Sequence, residues 1–111
     1  MNAAQLADRL SRDDSFARGV SAWKVWPARD PRYGEWPGGL APALRGALEG
    51  RGIHKLYTHQ TEAIGRVLDG DDVCIVTGTA SGKTLCYNVP VLEGLLEDRQ
   101  ARALYLFPTK A

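Results

Sequence analysis

The chain has 111 residues, 44% hydrophobic and 24% charged, and a net charge of +1. This length fits one small domain, and the near-neutral charge gives no argument for a nucleic-acid or membrane surface. No apolar run is long enough to cross a bilayer, and the first residues lack the apolar stretch of a signal peptide. Cys74 and Cys86 occupy internal apolar positions, which favours reduced core residues over a disulfide or metal site and indicates a cytoplasmic location.

The first part of the chain predicts one helix followed by an irregular arm. Asn2 can cap a helix that runs to about Leu10. Residues 11–39 hold prolines and glycines that favour turns, together with an aromatic density that disordered linkers usually lack. We therefore expect an arm that packs against a neighbouring surface, and its large rings are Trp23, Trp26, Tyr33 and Trp36.

Two further helices precede the central motif. Pro42 suits the first turn of a helix that ends near Gly50 or Gly52. Thr58 can cap the next helix, and Gly70 ends it. The chain thus reaches residue 70 through helices and turns.

Residues 72–107 predict a strand, a helix and a second strand. The apolar segments 73–76 and 103–107 have strand length, and the second suits a strand buried on both faces of a parallel sheet. The helix between them should bend at Pro90. Its apolar face is formed by Leu85, Val89, Leu92 and Leu96. The expected fold class is therefore α/β, with a βαβ unit of parallel strands.

The segment between the first predicted strand and this helix has the sequence of a phosphate-binding loop. A strand, a glycine-containing loop ending in Gly-Lys-Thr and a helix follow each other as in a P-loop. Backbone N–H groups and the helix dipole can hold the phosphates of ATP. Lys83 can neutralise the β- and γ-phosphates, and the Thr84 hydroxyl can bind Mg²⁺, so both are candidate catalytic residues. The predicted ATP and Mg²⁺ site comprises Thr77, Gly78, Thr79, Ala80, Ser81, Gly82, Lys83 and Thr84.

The match to the strict pattern G-x-x-x-x-G-K-[ST] is imperfect at its first position. Thr77 stands where the pattern has glycine, and Gly78 comes one residue late. The alternative is a chance Gly-Lys-Thr on a surface turn. The predicted strand directly before the loop and the amphipathic helix directly after it favour nucleotide binding.

Further candidate residues flank the loop on both sides. Upstream, the amide of Gln60 can donate to an adenine ring nitrogen and accept from the exocyclic amine, which suits ATP over GTP, and Tyr57 can stack on the base. The alternative for Gln60 is a solvated position on a helix. Downstream, Pro108, Thr109 and Lys110 follow the second predicted strand and can contact DNA phosphates. The alternative there is an ordinary turn from strand to helix.

The two histidines carry no comparable pattern. His54 and His59 have no acidic or cysteine neighbours at the spacing of a catalytic or metal site. We expect both to be surface or packing residues rather than bases.

Taken together, the upstream glutamine, the P-loop and the Pro-Thr segment resemble the DEAD/DEAH-box helicases of superfamily 2. In that family the glutamine reads the adenine edge, the P-loop is motif I, and a P-T-x-A/E segment is motif Ia. The resemblance extends to one branch, the MrfA/Hrq1-type DNA repair helicases, into which Thr77 and Ala80 also fit. It covers roughly residues 27–111 and rests on Pro31–Tyr33, Trp36-Pro37, Gly39-Leu40, Gly52-Ile53, and residues 56–60, 77–84 and 103–111.

The resemblance implies both a fold and an activity. The fold is an incomplete RecA-like P-loop NTPase domain that begins at residue 53, after an N-terminal region of residues 1–52. The activity is that of an ATP-dependent DNA helicase in DNA repair, of 3′-to-5′ direction, with backbone contacts to single-stranded DNA and no membrane partner. Such helicases also need a D-E-x-H/D motif and a second RecA-like domain, and neither occurs before Ala111. We therefore expect the 111-residue chain alone to be inactive and of marginal stability.

Two alternatives remain open at this point. One is a shortened, non-catalytic product that binds nucleotide weakly or not at all. The other is an unrelated P-loop kinase or nucleotide-binding module. A kinase would need neither Gln60 nor the Pro108–Lys110 segment, so these residues favour the helicase.

Overall fold

The computed structural model describes residues 1–108, which fall into two compact units that divide between Asp30 and Pro31. The first unit contains the helices α1 (Ala3–Ser11) and α2 (Asp14–Ala17). Asn2 caps α1 as predicted: its side chain accepts from the Gln5 N–H at 2.9 Å, and the Gln5 side chain accepts from the Asn2 N–H at 3.0 Å. This reciprocal capping box explains why so short a helix begins at residue 3.

Helix α2 was not predicted, because it lies in the segment expected to be irregular. Its N-cap is Asp13, which accepts hydrogen bonds from the backbone N–H groups of Ser15 and Phe16. The hydroxyl of Ser15 also donates to this carboxylate, and these three bonds hold the pKa of Asp13 below its ordinary value. The N-cap aspartate was a sequence signal for this helix. Phe16 then packs edge-on against Trp23, with ring centroids 6.1 Å apart.

Over residues 31–108, the second unit combines two very short strands with three helices. Strands β1 and β2 are antiparallel, with Tyr33 opposite Tyr57 and Gly34 opposite Leu56. Neither strand was predicted, since two residues leave no alternating pattern to read. The elements in chain order are β1 (Tyr33–Gly34), α3 (Pro42–Gly50), β2 (Leu56–Tyr57), α4 (Thr58–Leu68) and α5 (Lys83–Glu97). Over the described range 1–108, none of the helices is both long and apolar enough to span a bilayer.

The hydrophobic core of the second unit lies where α3, α4 and α5 meet. Ile64 of α4 and Val89 of α5 are completely buried at its centre. Side chains of this size each contribute about 1.5–3 kcal/mol on burial. Trp36 packs against this cluster, as predicted for that ring. The other buried members of the cluster are Leu44, Leu48 and Leu56.

Glu93 is also buried, at 4% exposure, on the inner side of α5. Both carboxylate oxygens lie 3.0 Å from the backbone nitrogen of Ala41, which donates to them. Ala41 is the N-cap of α3, a helix without a side-chain cap in the described part of the chain. A charge-assisted bond to a backbone donor offsets part of the cost of burying the carboxylate. Glu93 thereby fixes the start of α3 against α5.

The predicted parallel βαβ unit is not confirmed. Segments 73–76 and 103–107 contain no residue in a hydrogen-bonded strand, and the strands assigned within residues 1–108 are β1 and β2. Val76 and Leu104 are 91% and 84% exposed. A strand exists only where a neighbouring strand accepts and donates its backbone hydrogen bonds, and neither segment meets such a neighbour in the described range. The coarse α/β class holds.

Two details of burial also correct the sequence analysis. Cys74 is exposed, so the expectation of a core residue is wrong for it, whereas Cys86 is buried. The apolar face of α5 was misplaced in its second half: Leu92 and Leu96 are 44% and 54% exposed. The buried positions are Cys86, Val89 and Glu93, because α3 and α4 pack on that side of the helix.

A comparison of two glycine substitutions tests this packing. A Cβ at Gly34 would lie 2.7 Å from Thr61 Oγ1 and 2.9 Å from Thr61 Cβ. We expect Gly34→Ala to destabilise the protein by about 1–3 kcal/mol through overpacking. Gly46, inside α3, has no described atom within 4 Å of the same position. Gly46→Ala should therefore stabilise by about 0.5–1 kcal/mol. Thermal unfolding of the full-length protein measures both, and shifts of the same sign would contradict the packing of β1 on α4.

Candidate nucleotide-binding site

The loop before α5 has an unusual backbone that only certain residues tolerate. Gly82, the N-cap of α5, is left-handed, with φ of +76° and ψ of 28°. Ala80 is also left-handed, with φ of +59°, which is costly for a residue with a Cβ. A Cβ at Gly82 would lie 2.5 Å from the Gln60 side-chain nitrogen. Gly82 is therefore required both for its dihedral angles and for the approach of Gln60.

Lys83 folds its ammonium group back into this loop. Its Nζ donates to the carbonyl oxygens of Thr77 at 3.1 Å and Gly78 at 2.8 Å, and lies 3.4 Å from Ser81 Oγ. The hydroxyls of Thr77 and Ser81 are 2.6 Å apart. Three of the predicted loop residues thus contact this positive charge. The loop cavity, of about 530 Å³, is lined by Thr77, Thr79, Ala80, Ser81, Gly82, Lys83 and Thr84.

Two side chains from the first turn of α4 hold successive carbonyl groups of the loop. Gln60 Nε2 donates to the Gly82 carbonyl at 2.9 Å, and His59 Nε2 lies 2.8 Å from the Ser81 carbonyl oxygen. The other end of the Gln60 amide accepts from the Tyr57 N–H at 2.8 Å. Gln60 is only 3% exposed, so the alternative of a solvated glutamine is wrong. His59, expected to be a surface or packing residue, contacts the loop directly through this bond.

A second cavity, the candidate base cavity of about 430 Å³, adjoins the first turn of α4. Tyr57 and Gln60, the predicted base-binding residues, both line it. After its two bonds, the Gln60 amide retains one N–H donor and one acceptor lone pair. The full lining is Tyr33, Gly52, Ile53, His54, Lys55, Tyr57, Gln60 and Leu85. Gln60 thus belongs to this cavity and is bonded to the P-loop as well.

The Mg²⁺ and DNA candidates are positioned less completely. Thr84 is exposed and lines the loop cavity. No group of three His, Cys, Asp or Glu residues that could hold a metal ion occurs in the part of the chain that the structure describes. Pro108 is exposed, whereas Thr109 and Lys110 lie outside the described residues.

Cys86 lies next to this site on the first turn of α5, yet it is not a reactive group. Burial raises the pKa of its thiol, and the positive charge of Lys83 lowers it to a smaller extent. The net shift is upward, so the thiol stays protonated at neutral pH. Cys86 is therefore a buried core residue of α5.

The chain is similar to known helicases in sequence and in structure. Residues 57–111 match the family model described as DEAD/DEAH box helicase. The uncharacterized ATP-dependent helicase YprA of Bacillus subtilis is 47% identical over 92 residues, which are 83% of this chain and 12% of that protein. The ATP-dependent helicase hrq1 of Schizosaccharomyces pombe is 36% identical over 110 residues, 96% of this chain and 10% of the relative.

The structural comparison agrees with these sequence matches. The crystal structure of the DUF1998 helicase MrfA bound to DNA and AMPPNP superposes with a TM-score of 0.82 at 39% identity. It covers 98% of this chain and 15% of the MrfA chain. The chain spans only about a tenth of the length of the curated relatives YprA and hrq1.

Substitution at Gly82 tests the geometry of the loop. Gly82→Ala would impose a left-handed alanine, at about 1–2 kcal/mol, and would push the Gln60 amide away from the Gly82 carbonyl. We expect the affinity for a fluorescent ATP analogue to fall at least tenfold, as followed by anisotropy. Gly65→Ala is the matched control, because Gly65 lies in the same helix as Gln60 and no described atom lies within 4 Å of the added Cβ. Equal affinities for the two variants would contradict the tether between Gln60 and the loop.

Proposed function

Because the chain belongs to the DEAD/DEAH box helicase family, in its MrfA/Hrq1-type branch, we propose that it supplies the ATP-binding segment of an ATP-dependent DNA helicase. One observation carries this proposal: Gln60, buried in the base cavity, donates to the Gly82 carbonyl of the phosphate loop at 2.9 Å. A single side chain thus connects a site suited to a purine with a site suited to phosphates.

The loop chemistry fits a triphosphate. Lys83 is a flexible point charge whose acceptors are two backbone carbonyls, and phosphate oxygens are stronger acceptors because they are charged. The first turn of α5 contains no acidic residue, so its N–H groups and dipole favour an anion. In this proposal Lys83 and the loop backbone bind the β- and γ-phosphates, and the ATP supplies the phosphoanhydride bond whose hydrolysis drives the enzyme.

The Mg²⁺ ion would be held by Thr84 and the phosphates. Mg²⁺ takes oxygen ligands and keeps several waters, so it is commonly bound by few protein groups together with phosphate oxygens. A single exposed hydroxyl on the loop cavity is compatible with that arrangement. Acidic groups that hold Mg²⁺ and orient the attacking water would come from a D-E-x-H/D motif outside these residues.

The adenine would lie in the cavity between Tyr57 and Gln60. The free donor and acceptor of the Gln60 amide match the adenine edge. Tyr57 stacks with Tyr33 and His59, and the part of its ring that stays exposed would contact the base. Support comes from the MrfA structure, which contains AMPPNP.

The remaining elements of the proposal concern the whole protein. Segments 73–76 and 103–107 would be parallel strands of a RecA-like domain beginning at residue 53. Their uncovered apolar side chains support this. Pro108, Thr109 and Lys110 would contact the backbone of single-stranded DNA, supported by the DNA in the MrfA structure. A second RecA-like domain, a role in repair, 3′-to-5′ movement and a cytoplasmic location rest on the resemblance and composition alone.

The proposal is tested first at Lys83. Lys83→Ala removes the charge that faces the phosphates, so we expect ATP affinity to fall at least about 100-fold, or roughly 3 kcal/mol. DNA-stimulated ATP hydrolysis by the full-length protein should be abolished. Lys24→Ala, which removes an exposed lysine outside this unit, should change neither quantity. Wild-type ATP affinity in the Lys83 variant would show that the loop is not the nucleotide site.

The role of Thr84 is tested through the dependence of binding on Mg²⁺. Isothermal titration of ATP with and without Mg²⁺ should show tighter binding with the ion in the wild type. Thr84→Ala should lose most of this difference, because the hydroxyl ligand is gone, whereas Thr84→Ser should keep it. An undiminished Mg²⁺ effect in the alanine variant would exclude Thr84 as a ligand.

A further inference from the structure

Three aromatic rings form a continuous row from β1 to the start of α4. The antiparallel register places Tyr33 directly opposite Tyr57, and their rings stack with centroids 5.4 Å apart and planes 10° apart. Tyr57 in turn stacks on His59, at 5.8 Å and 9°. Directly opposed residues of an antiparallel pair bring their side chains into contact. The short sheet of β1 and β2 therefore fixes the orientation of the His59 ring, which lies outside the sheet.

The imidazole at the end of this row reaches the phosphate loop. His59 Nε2 is 2.8 Å from the carbonyl oxygen of Ser81. A carbonyl can only accept, so Nε2 must carry the hydrogen. The hydroxyl of the same serine bonds to Thr77 and lies 3.4 Å from Lys83 Nζ. His59 thus holds the residue that shapes the surroundings of the lysine.

We propose that His59 is a positioning residue for the phosphate loop. The stack with Tyr57 holds the ring, and the Nε2–H group fixes the Ser81 carbonyl and with it the position of the loop around Lys83. His59 lines neither the base cavity nor the loop cavity, so it acts through Ser81 and touches no part of the nucleotide. The inference rests on the proposed function, since it assigns His59 to the same ATP site.

A ligand without a base separates this role from base recognition. Inorganic tripolyphosphate and ATP, each with Mg²⁺, are titrated into the wild-type full-length protein and two variants. His59→Phe keeps an aromatic ring but loses the donor, and should weaken both ligands by the same factor, about tenfold for one lost hydrogen bond. His59→Gln loses the ring but can offer an amide N–H at a similar reach. It should stay within about threefold of the wild type for both ligands.

Two outcomes would overturn the positioning role. If His59→Phe binds both ligands with wild-type affinity, the bond to Ser81 does not matter. If it weakens ATP alone, His59 acts on the base. A failure of the proposed function gives a different result: the wild type itself would bind neither ligand. In that case the positioning role of His59 would be excluded as well.

A second measurement uses the wild-type protein, so its result does not depend on whether a His59 variant folds. Long-range ¹⁵N–¹H correlation spectra at alkaline pH report which imidazole nitrogen carries the hydrogen. We expect His59 to be the Nε2–H tautomer, because only that neutral form can donate to Ser81. Observation of the Nδ1–H tautomer would exclude the hydrogen bond and the inference.

Discussion

The buried amide of Gln60 joins two segments that are otherwise separated by the whole of α4 and the loop that follows it. Its oxygen accepts from the Tyr57 N–H, and its nitrogen donates to the Gly82 carbonyl. A buried amide left without partners costs roughly 1–3 kcal/mol. Separating the loop from α4 would impose such a cost, because the Gln60 nitrogen would lose the Gly82 carbonyl. Gly82 must lack a side chain for this contact to form. The glutamine at position 60 and the glycine at position 82 thus determine where the phosphate loop lies relative to α4.

The hydrophobic core holds the two helices that carry the Gln60–Gly82 contact in fixed positions. Ile64 lies one helical turn beyond Gln60 on α4, and Val89 lies two turns into α5; both are fully buried in the same cluster. Since protein cores are close-packed, the two helices cannot shift independently. Their N-terminal ends are therefore held side by side, with the base cavity beside β2 and the first turn of α4 and the loop cavity at the start of α5. Glu93 extends the same arrangement to α3 through its bonds to Ala41.

The parts of the site that sequence could predict are those whose chemistry is local. The Gly-Lys-Thr segment is contiguous, and the helix that it opens begins at Lys83 as expected. Gln60 and Tyr57 could be named as candidates because an amide and an aromatic ring upstream of a P-loop suit a purine, and the structure places both at one cavity. His59 could not, because its proposed role depends on the bond to Ser81, 22 residues away, and no spacing rule encodes that contact. The parallel strands stay unconfirmed for a related reason. Strand length and apolarity mark segments 73–76 and 103–107, but a strand forms only where a second strand pairs with its backbone N–H and C=O groups.

The contacts of Lys83 have a consequence for the proposed nucleotide site with its two cavities. Its ammonium already has carbonyl acceptors from Thr77 and Gly78, so a phosphate gains only the difference between a charged acceptor and those carbonyls. A free phosphate must also lose its own translational freedom for that gain. In the proposed site, a nucleotide with its base beside Gln60 would lose most of this freedom once, and its phosphates would then meet Lys83 at a high effective concentration. The fixed link between Gln60 and Gly82 sets the distance over which this advantage holds. On the proposed function, selectivity for a whole nucleotide over its base or its phosphates alone would therefore depend on the rigid Gln60–Gly82 link between the two cavities.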